Sequence, residues 1–364
     1  MKKILLGVLA VAGLVSCSND EVMELNRSND EIKFNAVVNN ASRAQLIYSN
    51  SFQPDAFYLY AINDGKTYIN GDQFKNQETY YVNVSGTRFW PEGFVDFYAH
   101  VNAGTNFKWT GTAAPTIEDF EVGADVASQV DLLYATNKAK KNQDKTKPTL
   151  PVPLAFHHAL SQIVFKAKNT NENLYVEVSG IKVCNVVNKG TFTYPTPTDD
   201  TYHNFGTWSL TGDKVQYGVT FDPVALNGDA NTLSAAVDLT SAAADYKKAM
   251  LLLPQTTTAW VPKAGEPAET QTGSYLLVDC EVYNVAGDVV DKANDVCLYN
   301  KEVAIPLKFE WEQGKRYIYT LIFNHAGYDP GVPVPALIPI EVVVSVDDFI
   351  DFPGDVNLTP DWVM

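Results

Sequence analysis

The chain has 364 residues, a formal net charge of -16 at pH 7, 46% hydrophobic side chains and 19% charged ones. At ~100–200 residues per domain the length favours two domains, and the acidic balance argues against nucleic acid or an anionic membrane surface as a partner. The 19 Tyr, 18 Phe and 6 Trp stand among short runs rich in Val and Thr, so the expected fold class is all-β.

The first 44 residues carry two processing signals. Lys2 and Lys3 open a positive segment, and residues 4–14 form an apolar run too short to anchor in a bilayer. Leu14-Val15-Ser16-Cys17 comes next and resembles the lipobox of bacterial lipoproteins, in which the Cys is acylated and becomes the new N-terminus. Residues 1–16 are therefore expected to be a signal peptide and Cys17 the lipidation site. After a polar spacer, residues 32–38 alternate. Ile32, Phe34, Ala36 and Val38 lie on one face, Lys33, Asn35 and Asn39 on the other, with Val37 the exception. Next comes Ala41-Ser42-Arg43-Ala44, an Arg in a small polar loop suited to a trypsin-like protease. A cut after Arg43 removes the first strand, whereas a cut after Arg27 leaves it in place. Residues 17–43 are read as a propeptide. Residues 1–43 hold five basic and five acidic side chains, so their removal leaves the charge at -16.

Strands are expected at 57–62, 80–84, 94–101, 129–134, 160–167, 175–178 and 181–187, with one helical turn allowed at 156–162 and an exposed loop at 138–147. The stretch TYPTPTDDTYH at 193–203 is rich in Pro, Thr and Asp and marks the expected boundary. It divides an N-terminal β-sandwich at 44–195 from a C-terminal one at 196–364. Further strands are expected at 217–221, 249–253, 275–283, 303–309 and 316–323, with a loop at 262–273. The last strand places Ile338, Ile340, Val342, Val344 and Val346 on one face, with Pro339 suited to an edge. With Cys17 lipidated, Cys184, Cys280 and Cys297 remain, an odd set that argues against a full disulfide framework. A Cys280–Cys297 bridge and buried thiols are both open. His157-His158 lacks Cys, Asp or Glu at ligand spacing and reads as structural. Tyr80, Tyr81 and Trp109 read as core aromatics, with sugar stacking as the functional alternative. No nucleophile elbow, zinc-protease helix motif or phosphate loop is present, so neither an enzyme nor a cofactor is expected.

These motifs together resemble the fimbrillins of Bacteroidales, the type V pilins. The acidic Cys17-Ser18-Asn19-Asp20-Glu21, the strand and Arg-Ala of 32–44, Arg88-Phe89-Trp90-Pro91 and Val95-Asp96-Phe97-Tyr98-Ala99 carry the likeness. So do Gln129-Val130-Asp131-Leu132-Leu133-Tyr134-Ala135 and Phe156-His157-His158-Ala159-Leu160-Ser161-Gln162-Ile163, and the closing 342–349, where Phe349 stands in place of the family's frequent Trp. The resemblance implies two tandem transthyretin-like sandwiches after a lipoprotein signal peptide. It implies export to the outer membrane and cell surface, cleavage by an arginine-specific protease, and a groove filled by a C-terminal strand of another fimbrial subunit. The chain then serves adhesion to a host or bacterial receptor or glycan. The alternatives are an uncleaved lipid-anchored subunit at the base of a fimbria and a monomeric glycan-binding lipoprotein.

Overall fold

The computed structural model describes residues 31–38, 53–77, 80–143, 150–200, 203–227, 236–240, 249–262, 272–285, 290–324 and 340–348. In chain order the strands are β1 (Phe34–Val38), β2 (Ala56–Asn63), β3 (Lys66–Asn76), β4 (Tyr81–Asn83), β5 (Phe94–Val101), β6 (Phe107–Lys108), β7 (Thr116–Glu121), β8 (Leu133–Lys140), β9 (Val152–His158) and β10 (Ser161–Asn169). They continue as β11 (Leu174–Val187), β12 (Lys189–Thr193), β13 (Thr207–Leu210), β14 (Lys214–Asn227), β15 (Val237–Asp238), β16 (Met250–Leu252), β17 (Tyr275–Asn284), β18 (Val296–Pro306), β19 (Lys315–Phe323) and β20 (Glu341–Asp348). Among the described residues helix is confined to two 3₁₀ turns, Gly104–Asn106 and Val126–Ser128.

Seven strands close into a barrel in the order β1-β4-β3-β2-β5-β8-β9. A ring with an odd number of strands cannot be antiparallel throughout. Here the parallel pair is β1 with β9, so β1 is the strand that closes the ring. The barrel interior is filled by Phe34, Phe57, Leu59, Phe74, Val95, Phe97, Ala99, Leu154 and Phe156, all essentially inaccessible to water. The expected N-terminal sandwich thus has no open edge.

A second core lies between two further sheets, β15-β10-β19-β20 and β14-β11-β17-β18. Ile163, Phe165 and Ala167 of β10 and Tyr319, Leu321 and Phe323 of β19 share it with Val176, Val178, Ile181 and Val183 of β11. The fourth sheet, β13-β12-β7-β6, backs onto the barrel's outer face. Phe107 stacks on Tyr60 at 4.2 Å, and Tyr134 lies 4.5 Å from Phe192. Residues 193–203, expected as the boundary, lie within the connection of the β12–β13 pair. Tyr194 there is buried and donates to the Ala99 carbonyl at 3.1 Å. The chain leaves the barrel once at β6 and β7 for the fourth sheet, returns for β8 and β9, and from β10 onward supplies only the layered sheets.

Several expected elements shift. Residues 129–134 split into the end of the 3₁₀ turn and the start of β8, because Gln129 and Asp131 make side-chain bonds rather than ladder pairs. Residues 156–162, where one helical turn was allowed, are the end of β9, a two-residue turn and the start of β10. Lys138 to Lys140, expected in a loop, end β8, and Lys138 reaches Asp96 at 3.1 Å. Runs 175–178 and 181–187 are one strand, β11, broken in register near Gly180. The Cys280–Cys297 bridge is absent. Cys280 pairs with Lys301 and Cys297 with Tyr283 in the β17–β18 ladder, and both thiols are free. Burial pushes the Cys280 thiol up to about 12, with Asp279 adding to it, so it is inert.

His100 of β5 lies outside the ring wall, buried against Tyr60 and Phe107. Burial pushes its imidazole down to about 3. The unfolded ring takes up a proton below about pH 6.5, while the folded ring stays neutral until about 3. The folded state therefore has its full stability above 6.5 and loses on the order of a few kcal/mol as pH falls through that window. His100→Phe is expected to flatten this part of the stability profile, measured as urea midpoints between pH 7 and 3.5.

Candidate functional site

β1 is built from alternation. Ile32, Phe34 and Ala36 point inward and are buried, while Lys33 and Asn35 are half-buried on the outside. The Phe34 ring meets Phe74 at 5.0 Å and Phe97 at 5.2 Å edge-on, with Phe57 at 6.2 Å. Such aromatic contacts add to burial worth ~1.5–3 kcal/mol for each large side chain. The Val38 backbone pairs with Phe156, and its side chain is outside the described set.

The strand is held unequally on its two sides. Against β9 it runs five residues in register, Phe34 to Val38 opposite Val152 to Phe156. Against β4 a single pair remains, Phe34 with Tyr81. Beyond it the Arg88-Phe89-Trp90-Pro91 motif acts as a latch. Ile32 N donates to the Arg88 carbonyl at 2.8 Å, and Glu31 bridges Phe89. Arg88 is fixed in turn on β3 by two bonds to Asp72, Nε at 2.6 Å and Nη2 at 3.0 Å. Burial raises the Asp72 carboxyl, but the bonds from Arg88 and Asn83 outweigh it and hold the group below its ordinary value. Tyr68 donates to the Phe89 carbonyl, and Trp90 packs edge-on against Phe97 at 6.0 Å. The Arg-Phe-Trp-Pro motif is therefore the seat of the first strand.

β9 depends on β1. Its residues 152–156 pair with β1, and only His157 and His158 pair with β8. Asn137 Nδ2 donates to the Pro153 carbonyl at 2.5 Å, the link from β8 to this stretch. Removing β1 would leave an apolar slot walled by Phe57, Phe74, Phe97 and Leu154, with unpaired backbone on β9 and β4.

β20 is the other unusual strand. It lies antiparallel to β19 at the sheet edge, with eight residues in register. Ile340 is buried and Val342 packs on the core. Val344 and Val346 of the same face, and Val343 of the other, are exposed by 41%, 53% and 46%. The expected inward face is thus buried only at its start. An exposed apolar edge is a template for pairing. Asp347 stands opposite Arg316, whose guanidinium is lowered by burial and supported by the Asp347 and Asp238 charges. Cys17, Arg43, Ala44 and Ile338 lie outside the described residues.

The other signatures join barrel to sandwich. His158 Nδ1 and Asp131 Oδ2 form a buried pair, and Gln129 Oε1 accepts from Leu251 N at 2.7 Å. Tyr134 donates to Gln313 Oε1 at 3.0 Å. A cavity of about 590 Å³ opens at this joint, lined by His157, Phe205, Trp208, Trp311 and Gln313 among others. The sequence marks the His pair as structural but does not reveal its partner. The signal was there, since Asp131 and His158 both sit inside the family-like motifs. Tyr81 is buried with its hydroxyl on the Pro54 carbonyl at 2.5 Å, and Trp109 packs against Tyr60 and Tyr98, so both act as core aromatics.

The chain is thus all-β, with one strand sealing a barrel and another exposed at a sheet edge. A family model described as fimbrillin-like matches residues 42–345, and the chain belongs to that family. The match starts after β1 and ends within β20. Among solved structures, a fimbrial protein of Bacteroides vulgatus is 14% identical, with a TM-score of 0.56, covering 88% of this chain and 99% of its own. A candidate cell adhesion protein of Bacteroides uniformis is 16% identical, with a TM-score of 0.42 and coverage of 87% and 97%. The first supports the fold alone. No curated protein gives a significant match.

Phe34→Ala in the unprocessed chain is expected to cost about 3–5 kcal/mol, because it empties the centre of the barrel. Chemical denaturation would show this as a lowered midpoint at unchanged slope.

Proposed function

We propose that this chain is a fimbrial subunit serving cell-surface adhesion. It is exported as a lipoprotein acylated on Cys17 and activated when an arginine-specific protease cuts between Arg43 and Ala44. The observation that carries the reading is β1 itself. It fills the barrel centre with Ile32, Phe34 and Ala36, yet only four residues separate its end from Arg43. Loss of residues 17–43 exposes apolar surface worth several kcal/mol and opens a ladder on two strands. A strand donated by a neighbouring subunit meets both demands, which is strand addition. The donor comes from the C-terminal part of the chain, residues 338–364, where Ile338, Ile340, Val342, Val344 and Val346 give one alternating candidate. Membership of the fimbrillin-like family supports this reading. Before cleavage the lipid holds the chain at the outer membrane, and afterwards the chain is held in the fimbrium.

The alternative is a lipid-anchored protein that keeps β1, either at the base of a fimbria or as a monomeric glycan binder. For the glycan binder the aromatic cavity at the joint is the place to bind.

Intact mass and N-terminal sequencing of surface protein decide between the two. The expected chain starts at Ala44 without lipid, and Arg43→Gln holds it as an acylated monomer. An acylated chain starting at Cys17 in the assembled wild type overturns the exchange reading. Deletion of residues 338–364 is expected to leave cleaved protein that forms no polymers, measured by light scattering after gel filtration.

A further inference from the structure

We infer that the cavity at the joint between barrel and sandwich binds a neutral saccharide, a short stretch of sugar rings from a surface glycan. This rests on the adhesion reading above and names the chemistry of the receptor, but it requires no strand exchange.

The walls are aromatic and fixed from behind. Phe205, just before β13, is exposed by 47%, and its ring stands edge-on to His157 at 4.9 Å. Trp208 of β13 is half-buried. Its indole Nε1 donates to the Ala159 carbonyl at 2.7 Å, and its ring lies 5.3 Å from Phe192. Trp311 donates through Nε1 to the Tyr319 hydroxyl at 2.9 Å and stacks on Phe309 at 4.7 Å. Each indole thus spends its one N–H on the protein, so what it offers the cavity is ring surface. The floor is tied as well. Gln313 accepts from the Tyr134 hydroxyl and donates to the Gly206 carbonyl at 2.7 Å. Gln255 accepts from Val187 N at 2.8 Å and donates to the Val187 carbonyl at 3.1 Å. A cavity held this way is preformed, so little of the binding energy goes into ordering it. Its volume of about 590 Å³ falls within the ~300–1,000 Å³ of small-molecule sites.

The rim selects the ligand class. Thr207 and Thr256 are exposed there, and Glu312 and Lys315 bring one charge of each sign. The two charges offset each other, so the rim favours neither an anion nor a cation. A wholly apolar guest would take water from the hydroxyls and the carboxylate and give nothing back. A sugar ring suits both parts. Its C–H face carries partial positive charge and lies against the negative face of an aromatic ring. Its hydroxyls donate and accept, so they pair with Thr, carboxylate and ammonium alike. None of the lining residues pairs with β1, and His157 and His158 are held by β8 instead. The uncut chain therefore already carries the site.

The test uses the uncut full chain. Saturation-transfer NMR is run with maltose, cellobiose, lactose and N,N′-diacetylchitobiose as neutral probes and sialyllactose as a charged one, each up to ~10 mM. At least one neutral probe is expected to bind saturably. Phe205→Ala is expected to weaken that binding about fivefold to tenfold, and Thr256→Trp to abolish it by filling the mouth. Thr207→Val, which trades one exposed hydroxyl for a methyl, is expected to weaken it about threefold and serves where Thr256→Trp disturbs the fold. Phe94→Ala removes a ring exposed by 50% elsewhere on the barrel and is expected to change nothing. Absence of binding by every neutral probe overturns the inference. So does neutral binding that Phe205→Ala and Thr207→Val leave intact, and so does sialyllactose as the sole ligand. Each of these leaves strand exchange untouched, whereas an assembled wild type still starting at Cys17 overturns exchange and leaves the cavity standing.

Discussion

The structure turns on the burial of Phe34 among Phe57, Phe74 and Phe97. A seven-membered ring of strands needs one parallel closure, and β1 provides it. Parallel pairing between strands remote in sequence forms no hairpin, so nothing local holds β1 in place. Its stability comes from the aromatic slot, the ladder with β9 and the latch around Arg88. The chain has thereby concentrated the integrity of the barrel core in one short segment.

This arrangement explains which parts were legible in the sequence. β1 and β20 alternate with one exception each, Val37 and Val343, and period-2 alternation is what a half-buried strand must show. β3 was missed because its inward positions include Asp72, and because Gly71, at φ 78°, interrupts the alternation between Ile69 and Phe74. Tyr60 crowds that glycine, its hydroxyl 3.1 Å from where a Cβ would sit. β12 and β13 were hidden by the Pro- and Thr-rich segment between them, whose composition resembles a linker while Tyr194 is packed inside. Local composition reports solvent preference, and tertiary packing overrode it here.

The joint between barrel and sandwich was half legible. The residues that form it stood out as motifs, but a motif does not say whom its side chain meets. Asp131 and His158 are 27 positions apart and meet in a buried pair. Gln129 and Leu251 are 122 apart. Pairs of this kind tolerate little change, since removing one partner strands a buried polar group at a cost of ~1–3 kcal/mol or more. The polar signatures around residue 130 and residue 158 are therefore structural rather than chemical.

In the proposed exchange, closure would also decide when a donor can enter. A complete ring has no edge, so an uncut subunit offers a donor nothing to pair with. While β1 is tethered it competes for its slot at an effective concentration of about millimolar, which no strand on a separate molecule matches at lower concentration. Cutting the tether removes that advantage without touching a single core contact. Complementarity then decides which strand occupies the slot, because a departing Ile-Phe-Ala-Val face is replaced well only by a similar one. A donor of near-equal fit wins by covalence, since it remains attached to a subunit while the released strand diffuses away. In the proposed cycle the protease thus controls timing, and the side-chain pattern of the incoming strand controls which molecule becomes the neighbour.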